Sequence, residues 1–360
     1  MTLSTPLLAA APLLAGLIGP ALLGAAPDRE QAAITAVPAH TAKRSDIVEH
    51  VAARTGADQR RVLDYWTPER MAKALPAGLL DAVTDDLLSG LTSRAGIQAT
   101  PELSGRKADL SIPRHQAAAR PGTGTAGSRP SGGTVGARWI TGGQVAKTTG
   151  RVFMTVGGAD FVCSASTVKS ANRDVVVTAG HCVKDGAGEW AGNWTFVPGY
   201  GMAGEHPYGQ YTARRMFVAG PWSRSGDDNY DVGMVALATS RGKHVADAVG
   251  TQEIAFNPAR GGQAFGFGYP ADPPYDGGHL VYCAGRLKDD PYAQTRDQGL
   301  GCDMTAGASG GPWMSKFDAA TGKGTIMSLS SFKYSDDERT MYGPYFGDSV
   351  KALFNTAEHA

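Results

Sequence analysis

From about residue 137 to the end of the chain, short apolar runs are divided by Gly and Pro. The runs Val152–Val156, Val175–Thr178, Trp194–Val197, Asp231–Leu237, Gln263–Phe267, Leu280–Ala284 and Thr325–Ser330 are each shorter than an ordinary helix. Their turns are rich in glycine, which weakens helix interiors but permits tight reversals. The spacing predicts an antiparallel β sandwich or barrel. The whole chain holds 48 Gly and 21 Pro in 360 residues, and no period of repeat-array length is visible.

The preceding residues have a different composition. Residues 6–26 contain only Leu, Ala, Gly, Ile and Pro, and the first charge is Asp28. This is the apolar core of an export signal ending in Gly24-Ala25-Ala26, read as residues 1–26. It lacks a basic n-region, and a membrane anchor is the alternative. Pro12, Pro20, Gly16 and Gly19 make it a poor span. Residues 27–99 form a pro-segment whose part from 44 onward reads as helical. Asp46 and Glu49 fit a capping box, Ile47/Val51 and Val62/Trp66 are four apart, and Leu80, Val83, Leu87 and Leu91 continue at helical spacing. Thr67-Pro68-Glu69 supplies an N-cap, a proline at N1 and an acid in the first turn. Residues 100–136, with Arg120-Pro121-Gly122-Thr123-Gly124, read as a linker whose arginines are open to proteolysis. Residues 137–360 form the turn-rich β domain. The pro-segment is either removed or retained as a domain that binds a partner or the cell wall.

Charge and cysteine usage exclude several functions. Lys and Arg number 34 and Asp and Glu number 34, so a basic footprint for nucleic acid or anionic lipid is absent. The four cysteines contain no C-x-x-C pair, and the eight histidines show no ligand spacing, so no metal site is expected.

Three runs carry chemistry: Val177-Thr178-Ala179-Gly180-His181-Cys182, Asn229-Tyr230-Asp231-Val232-Gly233 and Thr305-Ala306-Gly307-Ala308-Ser309-Gly310-Gly311-Pro312. Each alone fits a turn or loop. Together, in the order His, Asp, Ser, they supply a base of near-neutral reference pKa, an acid to orient it and a hydroxyl that needs both. Gly307 can turn its N–H inward beside that of Ser309, as an oxyanion hole requires. Asp227 and Asp228 are rival acids, but Asp231 leads an apolar run that would bury it against His181.

These motifs resemble the chymotrypsin-fold (trypsin-like) serine peptidases, in particular the bacterial secreted branch that includes glutamyl endopeptidases and related actinomycete exoenzymes. The resemblance covers roughly residues 137–350. It implies an all-β fold of two antiparallel six-stranded barrels, here preceded by the helical pro-segment, with the site between the barrels. It also implies a triad of His181, Asp231 and Ser309, and an oxyanion hole from Gly307 and Ser309. A Cys163–Cys182 bridge clamping the histidine loop follows from it, leaving Cys283 with Cys302. Counting alone allows three connectivities. The implied protein is a secreted, monomeric zymogen acting on proteins or peptides. It needs no cofactor and keeps no stable membrane association after signal cleavage.

Two departures matter. The acid that receives a new N-terminus in digestive trypsins is replaced by Ala308, so that activation switch is missing. Asp303, six residues before Ser309, and Ser330 on the following strand are candidates for substrate binding, but no His occupies 327–332 as in the Glu-preferring branch. Arg/Lys preference, Glu preference and others stay open.

Rival readings come from other classes. Gly307-Ala308-Ser309-Gly310-Gly311 also matches the G-x-S-x-G elbow of α/β-hydrolase esterases. That fold orders its triad Ser, acid, His, and only His359 follows Ser309. The other reading is an inactive protease-fold protein that binds or adheres, against which all three triad residues stand.

Overall fold

The computed structural model describes residues 46–77, 133–201 and 206–360. The chain divides into Met1–Lys43 and Arg44–Ala360, and every described residue lies in the second unit. The expected signal segment, the Leu80–Leu91 periodicity and the linker up to residue 132 lie outside the described residues. Among those described, no helix is long and apolar enough to cross a membrane.

Asp46–Ala77 corrects one expectation. Ile47–Val51 is a strand (β1), followed by helices α1 (Gly56–Tyr65) and α2 (Pro68–Lys73) and a short strand β2 (Leu75–Pro76). The Ile47/Val51 spacing and the Asp46/Glu49 pattern suit a helix, but Ile and Val equally suit a pleated edge, and a partner strand decides. The capping box sits at Thr55 and Asp58 instead, each side chain bonding the other's backbone. Thr67 does cap a helix with Pro68 in its first turn.

After β3 (Gly133–Arg138) come β4 (Thr149–Val156), β5 (Ala159–Thr167), β6 (Val175–Thr178), β7 (Gly192–Pro198), β8 (Tyr211–Ala219) and β9 (Gly233–Leu237). β4 and β5 form a hairpin whose loop is Gly157-Gly158, with φ of 58° and 84°. Such a two-residue reversal needs positive φ, which glycine adopts without a Cβ clash. Pairings β7–β4–β5–β6–β9–β8–β7 close a six-stranded ring, as the resemblance implied. Its wall is apolar because β6 and β9 are buried along their whole length. β1 adds to β8, and β2 to β5, outside the ring.

The remaining strands are β10 (Glu253–Ile254), β11 (Gln263–Gly268), β12 (Val281–Arg286), β13 (Lys288–Asp289), β14 (Gln298–Gly301), β15 (Pro312–Asp318), β16 (Lys323–Leu329), β17 (Phe332–Tyr334) and β18 (Asp337–Gly343). They form a six-stranded sheet, β10-β16-β15-β11-β12-β3, and a four-stranded sheet, β13-β14-β18-β17. β3 pairs with β12, so Gly133–Arg138 belongs to this half and reaches back into the expected linker. Trp313, Leu300 and the Cys283–Cys302 disulfide fill its core. The C-terminal helix Asp348–Ala357 buries Val350, Leu353, Phe354 and Ala357.

Candidate active site

His181 lies on the turn that follows β6. Cys182 N–H bonds to Ala179 O at 3.2 Å and Val183 N–H to Gly180 O at 2.9 Å, so the chain reverses immediately after the strand. Cys182 is disulfide-bonded to Cys163 of β5, which ties that turn to the barrel wall. Across from it, the 3₁₀ turn Asp228–Tyr230 delivers Asp231 just before β9. Asp231 Oδ1 accepts the His181 backbone N–H at 2.8 Å, and Oδ2 faces His181 Nδ1 at 2.8 Å. The Ser331 hydroxyl donates to the same Oδ2.

This arrangement decides the electrostatics. The Asp231 side chain is only 3% exposed, and burial alone would raise its pKa. The charge and hydrogen bonds of His181, with the bonds from Ser331 and the His181 N–H, outweigh that penalty and hold the carboxyl below its ordinary value. Of the rival acids, Asp227 caps the 3₁₀ turn through Asn229 N–H, and Asp228 belongs to the turn itself. Asp231, by contrast, accepts the His181 backbone N–H and faces the His181 ring.

The serine loop is fixed from both halves of the chain. Gly310 N–H bonds to Ser330 O at 2.7 Å, and Ser330 N–H to Gly311 O at 2.9 Å. From the first barrel, Ser164 N–H bonds to Ser309 O at 2.7 Å. The Ser164 hydroxyl donates to Gly307 O at 2.9 Å and accepts Tyr269 N–H at 2.9 Å. Ser164 thus joins the strand bearing Cys163 to the loop bearing Ser309. The sequence held no signal for it, because these partners are more than 100 residues away.

Two glycines make this approach possible. Gly307 has φ of 92°, a conformation that side chains rarely adopt. A Cβ on Gly310 would strike Thr178 Oγ1 and the Ser164 carbonyl, so Ser309 could not sit this close to β6 beside a larger residue. Among the described residues, neither Gly307 N–H nor Ser309 N–H donates to a protein acceptor. The Ala306 carbonyl is drawn to Ala271 N–H at 2.8 Å. Ala308 is fully buried, and its methyl lies against Gly268.

The two candidate substrate residues have other partners. Ser330 is fully buried, and its hydroxyl accepts the Trp313 indole N–H at 3.0 Å. Its side chain is therefore a core group. Asp303 Oδ1 accepts Gly136 N–H at 2.7 Å and Tyr275 O–H at 2.7 Å. Lys333 lies near enough to Asp303 to attract it, although burial brings the lysine down to about 8. That carboxylate is thus already partnered. Ser331, which sequence reasoning passed over, is the serine between β16 and β17 that reaches Asp231.

Both expected disulfides, Cys163–Cys182 and Cys283–Cys302, are formed. Cys163, His181 and Cys182 place donor atoms within 4.8 Å of one another, but both sulfurs are bonded to each other and offer no thiolate to a metal.

Comparison with known proteins agrees with this geometry. The sequence model of the family "Trypsin" matches residues 140–346. The crystal structure of protease Anisep from Arthrobacter nicotinovorans is similar at 40% identity and a TM-score of 0.57, over 59% of this chain and 96% of that one. A glutamyl endopeptidase of Bacillus licheniformis is 41% identical over 71 residues, 19% of this chain and 22% of its own. An extracellular metalloprotease of Bacillus subtilis is 39% identical over 74 residues, 21% of this chain and 23% of its own. The match thus spans under a quarter of the length of either Bacillus protein. Since the family match covers more than half of the 360 residues and includes His181, Asp231 and Ser309, the chain belongs to the trypsin family.

Proposed function

We propose that this chain is an exported serine endopeptidase that hydrolyses peptide bonds of proteins or peptides through an acyl-enzyme. The observation that carries this reading is the Asp231 carboxylate, buried and bonded at once to the His181 ring, the His181 N–H and Ser331. Such a carboxylate fixes the imidazole tautomer and favours the imidazolium. Ser309 Oγ attacks the scissile carbonyl while His181 Nε2 takes its proton. The tetrahedral oxyanion forms against Gly307 N–H and Ser309 N–H. His181 returns the proton to the leaving amine as the C–N bond breaks, leaving Ser309 acylated. Water, deprotonated by His181, then releases the acid and restores the serine hydroxyl.

Activation proceeds by cleavage in the arginine-bearing linker, and Ala308 leaves no charge partner for a new N-terminus. The engagement of Asp303 by Gly136 and Tyr275 argues against a dedicated Arg/Lys pocket. A panel of chromogenic peptides differing only at the residue before the cut reads that preference directly. The activity itself is tested with a serine-directed phosphonate on the secreted protein. Labelling of the wild type but not of Ser309→Ala is expected. No labelling of the processed wild type leaves the inactive binding protein as the better reading.

A further inference from the structure

The first barrel is a closed ring with two stretches of strand edge left over. β7 pairs with β8 only at Tyr211 and Thr212, so the same side of β8 is free from Arg215 to Ala219. β6 pairs with β5 only at Ser166 and Thr167, which frees Phe161 and Val162 on that side. Exposed edges of this kind leave backbone N–H and C=O groups unpaired and invite another strand. Both stretches are occupied by the chain's own N-terminal segment. β1 runs antiparallel along Arg215–Ala219, and β2 runs parallel to Phe161–Val162. The ladder continues with Ala52 N–H to Arg214 O and Ala53 N–H to Ala213 O, both 3.1 Å.

Side chains deepen this contact. Trp66 and Met71 keep only 3% and 2% of their surface exposed, and Trp66 packs on Phe153 of β4 at 5.5 Å between ring centroids. The Trp66 indole N–H donates to Asn193 O. Tyr65 O–H and Arg70 both bond to Asp160. At the other end, Asp46 O accepts Gly220 N–H at 2.7 Å, and the Asp46 carboxylate holds Arg224 at 3.0 Å. Gly220 and Arg224 belong to the short helix Gly220–Ser225, whose Trp222 ring stands 6.4 Å from the His181 ring. His50 stacks on Trp190 at 5.1 Å, beyond the turn that carries His181.

We propose that residues 46–77 are a lasting part of the first barrel. After the linker is cut they remain docked without a covalent tie, as a small second chain that covers both free edges and steadies the Trp222 helix beside His181. The occupant of these edges is this chain's own segment. Buried aromatic anchors, two backbone ladders and ion pairs at both ends make it an interface and not a tether. The linker arginines supply the cut, and the docked segment lies on the opposite side of that cut from the catalytic residues in sequence. The proposal goes beyond the peptidase reading and does not depend on it.

The test uses the full secreted chain carrying Ser309→Ala, so that no step needs its own activity. Limited digestion in the linker is followed by gel filtration at micromolar concentration, with masses read under native and denaturing conditions. One native particle that yields two masses on denaturation is expected. Separate elution of the protease half alone overturns the proposal. Hydrogen exchange at Gly220, Ala52 and Ala53 is expected to stay slow after the cut, and fast exchange at all three overturns it equally. Trp66→Ala should weaken retention of the segment by about a hundredfold or more. Met71→Ala gives a second, gentler probe with about a tenfold or larger loss should the first variant fail to fold. Unchanged retention in whichever variant folds counts against the interface. A phosphonate-labelling failure of the wild type would remove the peptidase reading while leaving these outcomes intact.

Discussion

The first barrel contains two histidine–aspartate pairs of nearly the same geometry. His181 Nδ1 stands 2.8 Å from Asp231 Oδ2, and His244 Nδ1 stands 2.6 Å from Asp174 Oδ2. In both, the carboxylate is almost wholly buried and the imidazole partly open, at 19% and 30% exposure. What differs is the surroundings. Asp231 takes a further hydroxyl from Ser331 and the N–H of its own histidine, and the Ser309 loop packs on the strand that leads into His181. Asp174 takes the N–H of Val245 at 3.3 Å, at the start of the helix Val245–Val249 that follows His244. Under the proposed mechanism the first pair orients a general base, whereas the second ties the start of β6 to a helix. A histidine–aspartate pair is not chemistry until a nucleophile is held against it.

The largest expected effect separates the two pairs. His181→Ala and Ser309→Ala should each lower kcat on the order of 10⁶-fold, because members of such a unit fail together. Circular dichroism and thermal unfolding should stay close to the wild type. A folded His181→Ala protein with more than a tenth of wild-type kcat would end the catalytic assignment.

Asp231→Asn comes next. It keeps the shape but offers an amide where the imidazole needs a carboxylate, and a fall of about 10⁴-fold in kcat is expected. The same residue predicts a pH response of stability. Its folded pKa is depressed, so its contribution is complete above the unfolded value and lost as pH falls through the lower folded one. Acid titration of unfolding should therefore be flatter below about pH 4 in Asp231→Asn than in the wild type. An identical acid limb in both proteins would show that the carboxylate is not held ionised by His181 and Ser331.

How much of this was legible in the sequence follows from range. His181, Asp231 and Ser309 stood out because each sits in a short local motif, and the cysteine bridges followed from the resemblance those motifs carry. β1 did not, since Ile47, Val51 and the Asp46/Glu49 pair satisfy a helix as well as a strand, and only the free edge of β8 chooses between them. Ser330 and Ser331 are adjacent and chemically identical. A half-turn of the chain sends one to Trp313 and the other to Asp231, and no local pattern encodes that choice. Asp303 stands out in sequence only by its distance to Ser309, and its partners Gly136 and Tyr275 lie too far along the chain for any local pattern to show.

Ser331→Ala tests the group that distinguishes the two aspartates most directly. It removes one hydrogen bond to a buried charge, a loss of about 1.5–3 kcal/mol in the environment of Asp231. Part of this appears in the ground state, so a fall in kcat of about tenfold is expected, with KM little changed. Ser331→Thr retains the hydroxyl and should recover most of the activity. If Ser331→Ala is fully active, the third donor is structural only, and the two dyads are more alike than their surroundings suggest.

The smallest effect on activity, and the sharpest control, belongs to the other pair. His244→Ala leaves Asp174 Oδ2 without its imidazole partner while Val245 N–H still bonds to Oδ1. Stripping a buried acceptor of one partner costs about 1–3 kcal/mol, which for a domain of this size lowers Tm by roughly 2–4 °C per kcal/mol. Turnover should stay within about twofold, because the lost contact holds a helix start and, among the described residues, none of the bonds that fix the Ser309 loop involves His244 or Asp174. Chromogenic assay and thermal unfolding of the same preparation give both numbers. A His244→Ala protein that keeps its Tm but loses turnover would reverse the assignment of roles between the two pairs. Loss of Tm with kcat preserved, the expected result, would show that this second bond steadies a helix start and that the chemistry depends on what surrounds the other pair.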